Sequence, residues 1–222
     1  MINSVKPNLI VSDSRGAWFR ATILFILALI GTVGMWSVVV FIPDIEKEFG
    51  LDRGTSSLLY AFTMIGFGFG TVVIGKVYDK FGIKKPILLA TFVLITSYYF
   101  YSIFPFYWQF LILQFFMGFA ASAFFGPAMA DISNFFNKQR GFALSIVASA
   151  NYVAGATWPL LIGYFLTFID WRAAHFWISI CLFIMIPLIL LLKNASVDES
   201  KSHEMKQRYK DCLLYTSDAA DE

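Results

Sequence analysis

Charge is scarce in this chain. Only 14% of its 222 residues are Asp, Glu, Lys or Arg, where soluble domains carry roughly 25%. With 58% hydrophobic residues, a chain this short cannot hide its apolar surface in a soluble core. A mean hydropathy of +0.67 agrees, so the composition selects a membrane protein. Histidine and cysteine are almost lacking. His175 sits near the end of an apolar run and His203 in a polar stretch, too far apart in kind to build a metal site. Cys181 and Cys212 support neither a disulfide nor a metal. Membrane-embedded enzymes need paired acids, His clusters or an activated Ser. No Asp, Glu, Lys, Arg or His stands at the middle of any apolar run, so an enzyme is the weaker alternative. No cofactor, metal or nucleic-acid partner is expected.

What the chain has is apolar runs, and Phe alone supplies 25 residues. Six runs are long enough to span a bilayer: 21–42, 56–77, 86–104, 109–130, 141–166 and 173–192. A helix of about 20 residues crosses a hydrocarbon core of roughly 30 Å. None of the runs alternates as a barrel strand would, and a backbone in lipid must satisfy itself. The expected fold is therefore an all-α membrane bundle of six transmembrane helices over 21–192, after an N-terminal tail of 1–20. Lys and Arg set the orientation. One set of loops and ends holds 14 of the 17 basic residues, and the opposite set only Lys47, Arg53 and Arg172. The positive-inside bias puts both termini in the cytoplasm. The first apolar run is too long for a cleavable signal, so it is expected to remain as a helix. The Asn194-Ala-Ser196 sequon then faces the cytoplasm and is discounted.

The short loop between the second and third runs carries Gly75, Lys76, Asp79, Lys80, Gly82, Lys84 and Lys85. A generic positive-inside loop would show the lysines but not the Gly/Asp/Gly spacing. The stretch resembles the signature loop of the major facilitator superfamily of transporters, although Ile83 stands where a basic residue is common. A second loop, from Asp131 through Lys138 and Arg140 to Gly141 and Ala143, resembles that family's acid, aromatic, basic-Gly-x-Ala junction. The resemblance implies one half of a twelve-helix fold, built as a 3+3 inverted repeat. It also implies a gate at the cytoplasmic end. Gly75 would let a helix from the other half approach closely. Asp79 would accept hydrogen bonds from a helix N-terminus, and Gly82 would permit the turn. Lys80, Lys84 and Lys85 would pair with acids, and Asp131 with Arg140 or with the basic residues of the first loop. Pro86 suits the first turn of the third helix.

In such a fold the first and fourth helices line a central cavity, helped by the second and fifth. The polar or aromatic candidates are Thr32, Met35 and Trp36, then Gln114, then Asn151, Tyr152 and Trp158. Gly118, Ser122 and Gly126 share one helical face, as do Gly66 and Gly70, and both stripes are expected to pack helices. Gln114 occupies the place, relative to Gly118, where many proton-coupled antiporters of the family carry Arg. His175 is expected at the membrane interface, and Pro159 is expected to kink the fifth helix. Trp36, Tyr60-Ala-Phe, Arg140-Gly-Phe-Ala and Asp170-Trp-Arg172 are similar to the monocarboxylate transporter and oxalate–formate antiporter branch. That makes a small organic anion the expected solute, carried by alternating access in a bacterial inner (plasma) membrane. Any cation that balances it would come from the missing C-terminal six-helix half. The partners implied are the solute, the lipid bilayer and that half.

Residues 193–211 are polar and mixed in charge, as an inter-half cytoplasmic linker would be. The last eleven residues, 212–222, resemble the in-frame translation of a common transposase sequencing adapter, and are expected to be an artefact. The chain then reads as a truncated half, inactive alone. The alternative is a complete six-helix protein that works as a homodimer.

Overall fold

A computed structural model gives the structure of residues 13–192. The expected linker 193–211, the tail 212–222, the sequon at Asn194 and the first twelve residues lie outside the described residues. Those described form helices and no strand. Among the described residues, six stretches are long and apolar enough to cross a membrane; each overlaps one of the six apolar runs, and the first (Arg15–Phe49) and fourth (Tyr107–Phe135) extend past the expected 21–42 and 109–130.

The first span is α1 (Arg15–Gly31) followed by α2 (Val33–Phe49). The second is α3 (Arg53–Phe81) and the third α4 (Lys84–Ile103). The fourth comprises α5 (Tyr107–Ala121), a 3-10 turn at Ser122–Phe124 and α6 (Gly126–Phe135). The fifth is α7 (Arg140–Phe165). The sixth is α8 (Trp171–Cys181), a 3-10 turn at Leu182–Ile184 and α9 (Met185–Leu191).

Local chemistry explains the boundaries. The Ser14 and Asp52 side chains accept backbone N–H groups at the starts of α1 and α3, and Asp170 does so for α8. Gly50 ends α2 in the left-handed conformation at φ 61°. Gly82 ends α3 at φ 72° and ψ −173°, a region open essentially to glycine alone, so the turn expected there is made. Helix α1 begins at Arg15, ahead of residue 21, and takes Arg20 into the bundle.

Three of the spans break near their middles, and the breaks of the first and fourth meet. At Thr32 the Oγ1 hydroxyl turns back to the Ala28 carbonyl at 2.8 Å, a local bond that competes with helix continuation. The Leu29 carbonyl accepts the indole N–H of Trp158 on α7 at 2.8 Å. At Gly31, a Cβ would fall 2.4 Å from the ring of Phe124, which lies in the 3-10 turn of the fourth span.

Packing follows a mirrored scheme. Helix α3 lies along α5 as α1 lies along α7, while α4 packs on α8. Second-on-fourth thus matches first-on-fifth, and third-on-sixth maps onto itself, as a 3+3 inverted repeat requires. Glycine sets the α3–α5 approach. A Cβ at Gly118 would sit 1.9 Å from the Thr63 carbonyl oxygen, and one at Gly66 would sit 2.0 Å from that of Phe115. Gly70 is similarly closed by Phe119 and Ser122. Gly66, Gly70, Gly118 and Ser122 thus pack α3 against the fourth span, but Gly126, expected on the same face, lies past the 3-10 turn and has nothing within 4 Å of a built Cβ.

Candidate solute site and gating loop

Of the seven expected cavity residues, Trp36 and Asn151 are hydrogen-bonded to each other. The Trp36 indole N–H on α2 donates to the Asn151 Oδ1 on α7 at 3.2 Å. Both residues are only partly buried. The indole rests on α7 at Gly155, where a Cβ would come within 3.0 Å of the ring. Thr32 is fully buried and bonded to its own helix. Tyr152 is 72% exposed and makes no hydrogen bond among the described residues. Gln114 is 1% exposed. It accepts from the Thr63 hydroxyl at 2.8 Å and donates to the Tyr101 hydroxyl at 3.3 Å. Its amide therefore ties α3 and α4 to α5 and keeps little capacity for a solute.

His175, expected at the membrane interface, is 1% exposed and lies inside the bundle. One turn of α8 separates it from Trp171, whose carbonyl meets its Nδ1 at 2.7 Å. Its ring stacks on Tyr101 at 4.4 Å and 4°, and lies 4.0 Å from Phe41. Proximity to a span end did not reveal that α8 turns this residue inward against α4 and α2. Nearby, three span ends are fastened together. Arg172 pairs with Glu48 at 2.5 Å and donates to the Phe104 carbonyl at 2.8 Å. The Trp171 indole donates to the same Glu48 at 2.8 Å.

At the other end, Asp131 is where the structure departs most from expectation. It pairs neither with Arg140 nor with the lysines of the first loop. It lies inside α6, and its carboxylate takes both arms of Arg20: Nε at 2.6 Å and Nη2 at 2.9 Å. The two side chains are 5% and 7% exposed, and the Phe135 ring covers the guanidinium at 4.6 Å. Arg140 is exposed at the first position of α7. Because α1 starts at Arg15, Arg20 sits in its second turn, at a depth an acid in α6 can reach.

Asp13 was missed altogether. Its carboxylate accepts the backbone N–H groups of Asn137 at 3.3 Å and of Lys138 and Gln139 at 3.2 Å each, just ahead of α7. Its own N–H donates to the Phe135 carbonyl at 3.1 Å. Desolvation pushes the Asp13 carboxyl upward, but these three N–H bonds and the nearby Lys138 together outweigh it and hold it below the ordinary 3.8. Beside it, Trp18 stands edge-on to Phe136 at 4.9 Å. Residues 13–20 thus clasp the loop between the fourth and fifth spans. The signal for this lay in Ser12-Asp13-Ser14 ahead of an apolar run, a helix-start pattern.

The signature loop itself stays open. A Cβ at Gly75 would meet nothing within 4 Å. Asp79 is exposed and makes no hydrogen bond or ion pair among the described residues. Lys80 and Lys85 pair with no acid among the described residues; their ammonium groups lie over the Phe81 ring at 5.3 and 4.3 Å. Ile83, at the place of the usual basic residue, is 4% exposed and belongs to the core.

An integral membrane bundle of mirrored three-helix units, with a glycine-turned basic loop after its second span, defines a transporter-type half. The Major Facilitator Superfamily model matches residues 24–216, so the chain belongs to that family. The match runs a few residues into the 212–222 tail and does not mark 211 as a boundary. The chain is 26% identical over 156 residues to the agnestins efflux protein AgnL12 of Paecilomyces divaricatus, covering 68% of this chain and 35% of that protein. It is 25% identical over 180 residues to the uncharacterized MFS-type transporter YdgK of Bacillus subtilis, covering 78% and 44%. It is 23% identical over 172 residues to the inner membrane transport protein YnfM of Escherichia coli, covering 76% and 41%. The chain spans less than half the length of these relatives. Membership places it with transporters rather than with membrane-embedded enzymes.

Proposed function

We propose that the chain is one six-helix half of a secondary transporter that moves a small organic anion, such as a monocarboxylate, by alternating access. The observation that carries this is the Trp36–Asn151 pair. It joins the first and fifth spans at mid-membrane depth, on side chains left partly uncovered. The other half covers the faces of α3 and α7, which are the least buried of the six spans at 28% and 22%. Gly68 and Gly75 on α3, and Gly141 and Gly163 on α7, have nothing within 4 Å of a built Cβ, and small residues of this kind admit a close helix neighbour. Gly75 and Asp79 then form one side of the cytoplasmic gate, and the second half supplies the helix N-terminus that Asp79 accepts from.

The basic loops support placing both termini in the cytoplasm. Alignment of the two bacterial relatives over 78% and 76% of the chain supports a bacterial inner membrane. Residues 193–211 serve as the start of the inter-half linker, and 212–222 as adapter-derived sequence. Long-read sequencing of the source locus tests the half reading. An open frame running on into six further apolar spans is expected, and a stop codon near residue 211 refutes it. Radiolabelled pyruvate uptake by the full-length product in proteoliposomes tests the solute class. The expected result is uptake above protein-free liposomes, with none by residues 1–211 alone.

A further inference from the structure

The indole of Trp36 can only donate a hydrogen bond. The atom of Asn151 that faces it at 3.2 Å must therefore be the amide oxygen. This fixes an assignment that is otherwise ambiguous between oxygen and nitrogen. The carboxamide nitrogen consequently turns away from Trp36, and it has no acceptor among the described residues. The indole cannot easily leave, because its ring rests against Gly155. Trp36 thus locks the polarity of Asn151, and the pair presents two N–H donors beside a flat aromatic surface.

We propose that Asn151 donates a hydrogen bond to an acceptor oxygen of the transported solute, a carboxylate or carbonyl, with Trp36 as the residue that positions it. The proposal rests on the reading of this face as part of the solute path. It adds that this half selects for an acceptor by hydrogen bonding, without a charge of its own at this depth. A solute that offers only donors is disfavoured there, since the two carboxamide N–H groups would be left without an acceptor.

Asn151→Asp tests this, because the replacement keeps an oxygen facing Trp36 and exchanges the donor for a second acceptor. A residue that merely pins Trp36 would survive the change. Pyruvate uptake is measured in proteoliposomes of the full-length transporter at about pH 8, always as a ratio to the parent. We expect N151D to lose uptake about tenfold or more. Parental uptake by N151D overturns the proposal. If N151D does not fold, Asn151→Ser against Asn151→Leu gives the same contrast, because serine can donate and leucine cannot; equal uptake by the two overturns it. A parent that fails to move pyruvate refutes the solute class instead, a distinct outcome read before any variant.

Discussion

Removing Asp131 alone should unfold this bundle more readily than any other single-charge change, and removing Arg20 with it should undo most of the damage. At a separation near 3 Å and an effective dielectric of about 20, the gross attraction between the two charges is about 5–6 kcal/mol. Their side chains are 5% and 7% exposed, and taking each ion out of water costs several kcal/mol. The pair therefore comes close to balance, and its net contribution is small. The position changes when one partner goes. Asp131→Ala takes the carboxylate away from a buried guanidinium in α1, and removing one partner of a buried pair costs about 3–5 kcal/mol. Arg20→Met with Asp131→Leu removes both charges and keeps the volume filled, so it should fall within about 1–2 kcal/mol of the parent. The assay is reversible unfolding in mixed micelles with increasing denaturing detergent, followed by circular dichroism. Arg140→Asp with Asp131→Arg is the control, and it should be no better than Asp131→Arg alone because Arg140 is not the partner. If Asp131→Ala costs less than about 1 kcal/mol, or the Arg140 exchange restores stability, the pairing argument is wrong.

Asp13→Ala should speed hydrogen exchange at Asn137, Lys138 and Gln139, whose N–H groups it holds, with little change in the centres of the spans. In the parent, the Asp13 carboxyl is depressed by those bonds, so its contribution is fully present above the ordinary carboxylate range. It is lost only as pH falls through the lower folded value. Protection at 137–139, corrected for intrinsic exchange, should therefore hold at neutral pH and fall in strong acid, and a steady decline through pH 5–7 would contradict this. Gly118→Ala should fail to assemble, since its methyl would lie 1.9 Å from the Thr63 carbonyl oxygen. Monodisperse protein at parental yield would refute the α3–α5 contact. Gln114→Leu should lose about 1–3 kcal/mol by stranding the buried Tyr101 hydroxyl. In the full-length transporter it should keep the parental solute preference, and a changed preference in pyruvate competition assays would return Gln114 to the solute path.

The spans were legible because hydropathy and length decide them, and no tertiary contact can make a charged stretch cross lipid. The Gly66/Gly70 and Gly118 stripes were legible as packing for a similar reason: small residues at helical spacing have few other uses in a membrane. Pair partners were not. Asp131 reads as a loop acid if the span ends at 130, and as the partner of Arg20 only once α6 is known to continue to Phe135. Arg20 in turn reads as tail until Ser14 caps a helix that starts at Arg15. His175 shows the same limit, because its burial depends on which face of α8 meets Tyr98 and Tyr101. Trp36 and Asn151 were each suspected from polarity, but their meeting depends on the lean of α2 against α7 at Gly155.

The two basic loops can be compared through one chemical need. A turn leading into a helix exposes backbone N–H groups that favour a carboxylate. Ahead of α7 that need is met within the chain, by Asp13, with Trp18 packed alongside. The signature loop offers the complementary article: Asp79 is a carboxylate at the end of α3 with no N–H group donated to it by any described residue, beside a Gly75 that leaves room for a backbone. In the half-transporter reading, the first arrangement is permanent, because it joins neighbouring parts of one bundle and has no reason to break. The second must form and break, because it joins two bodies that rock against each other. Replacing Asp79 by Asn should then leave the isolated bundle as stable as the parent. In the full-length protein it should shift the distribution of states, raising modification by a membrane-impermeant thiol reagent of a cysteine placed on the cytoplasmic side of the α3–α7 face. Equal destabilisation of the isolated bundle by Asp79→Asn and Asp13→Asn would mean that Asp79 serves this half alone.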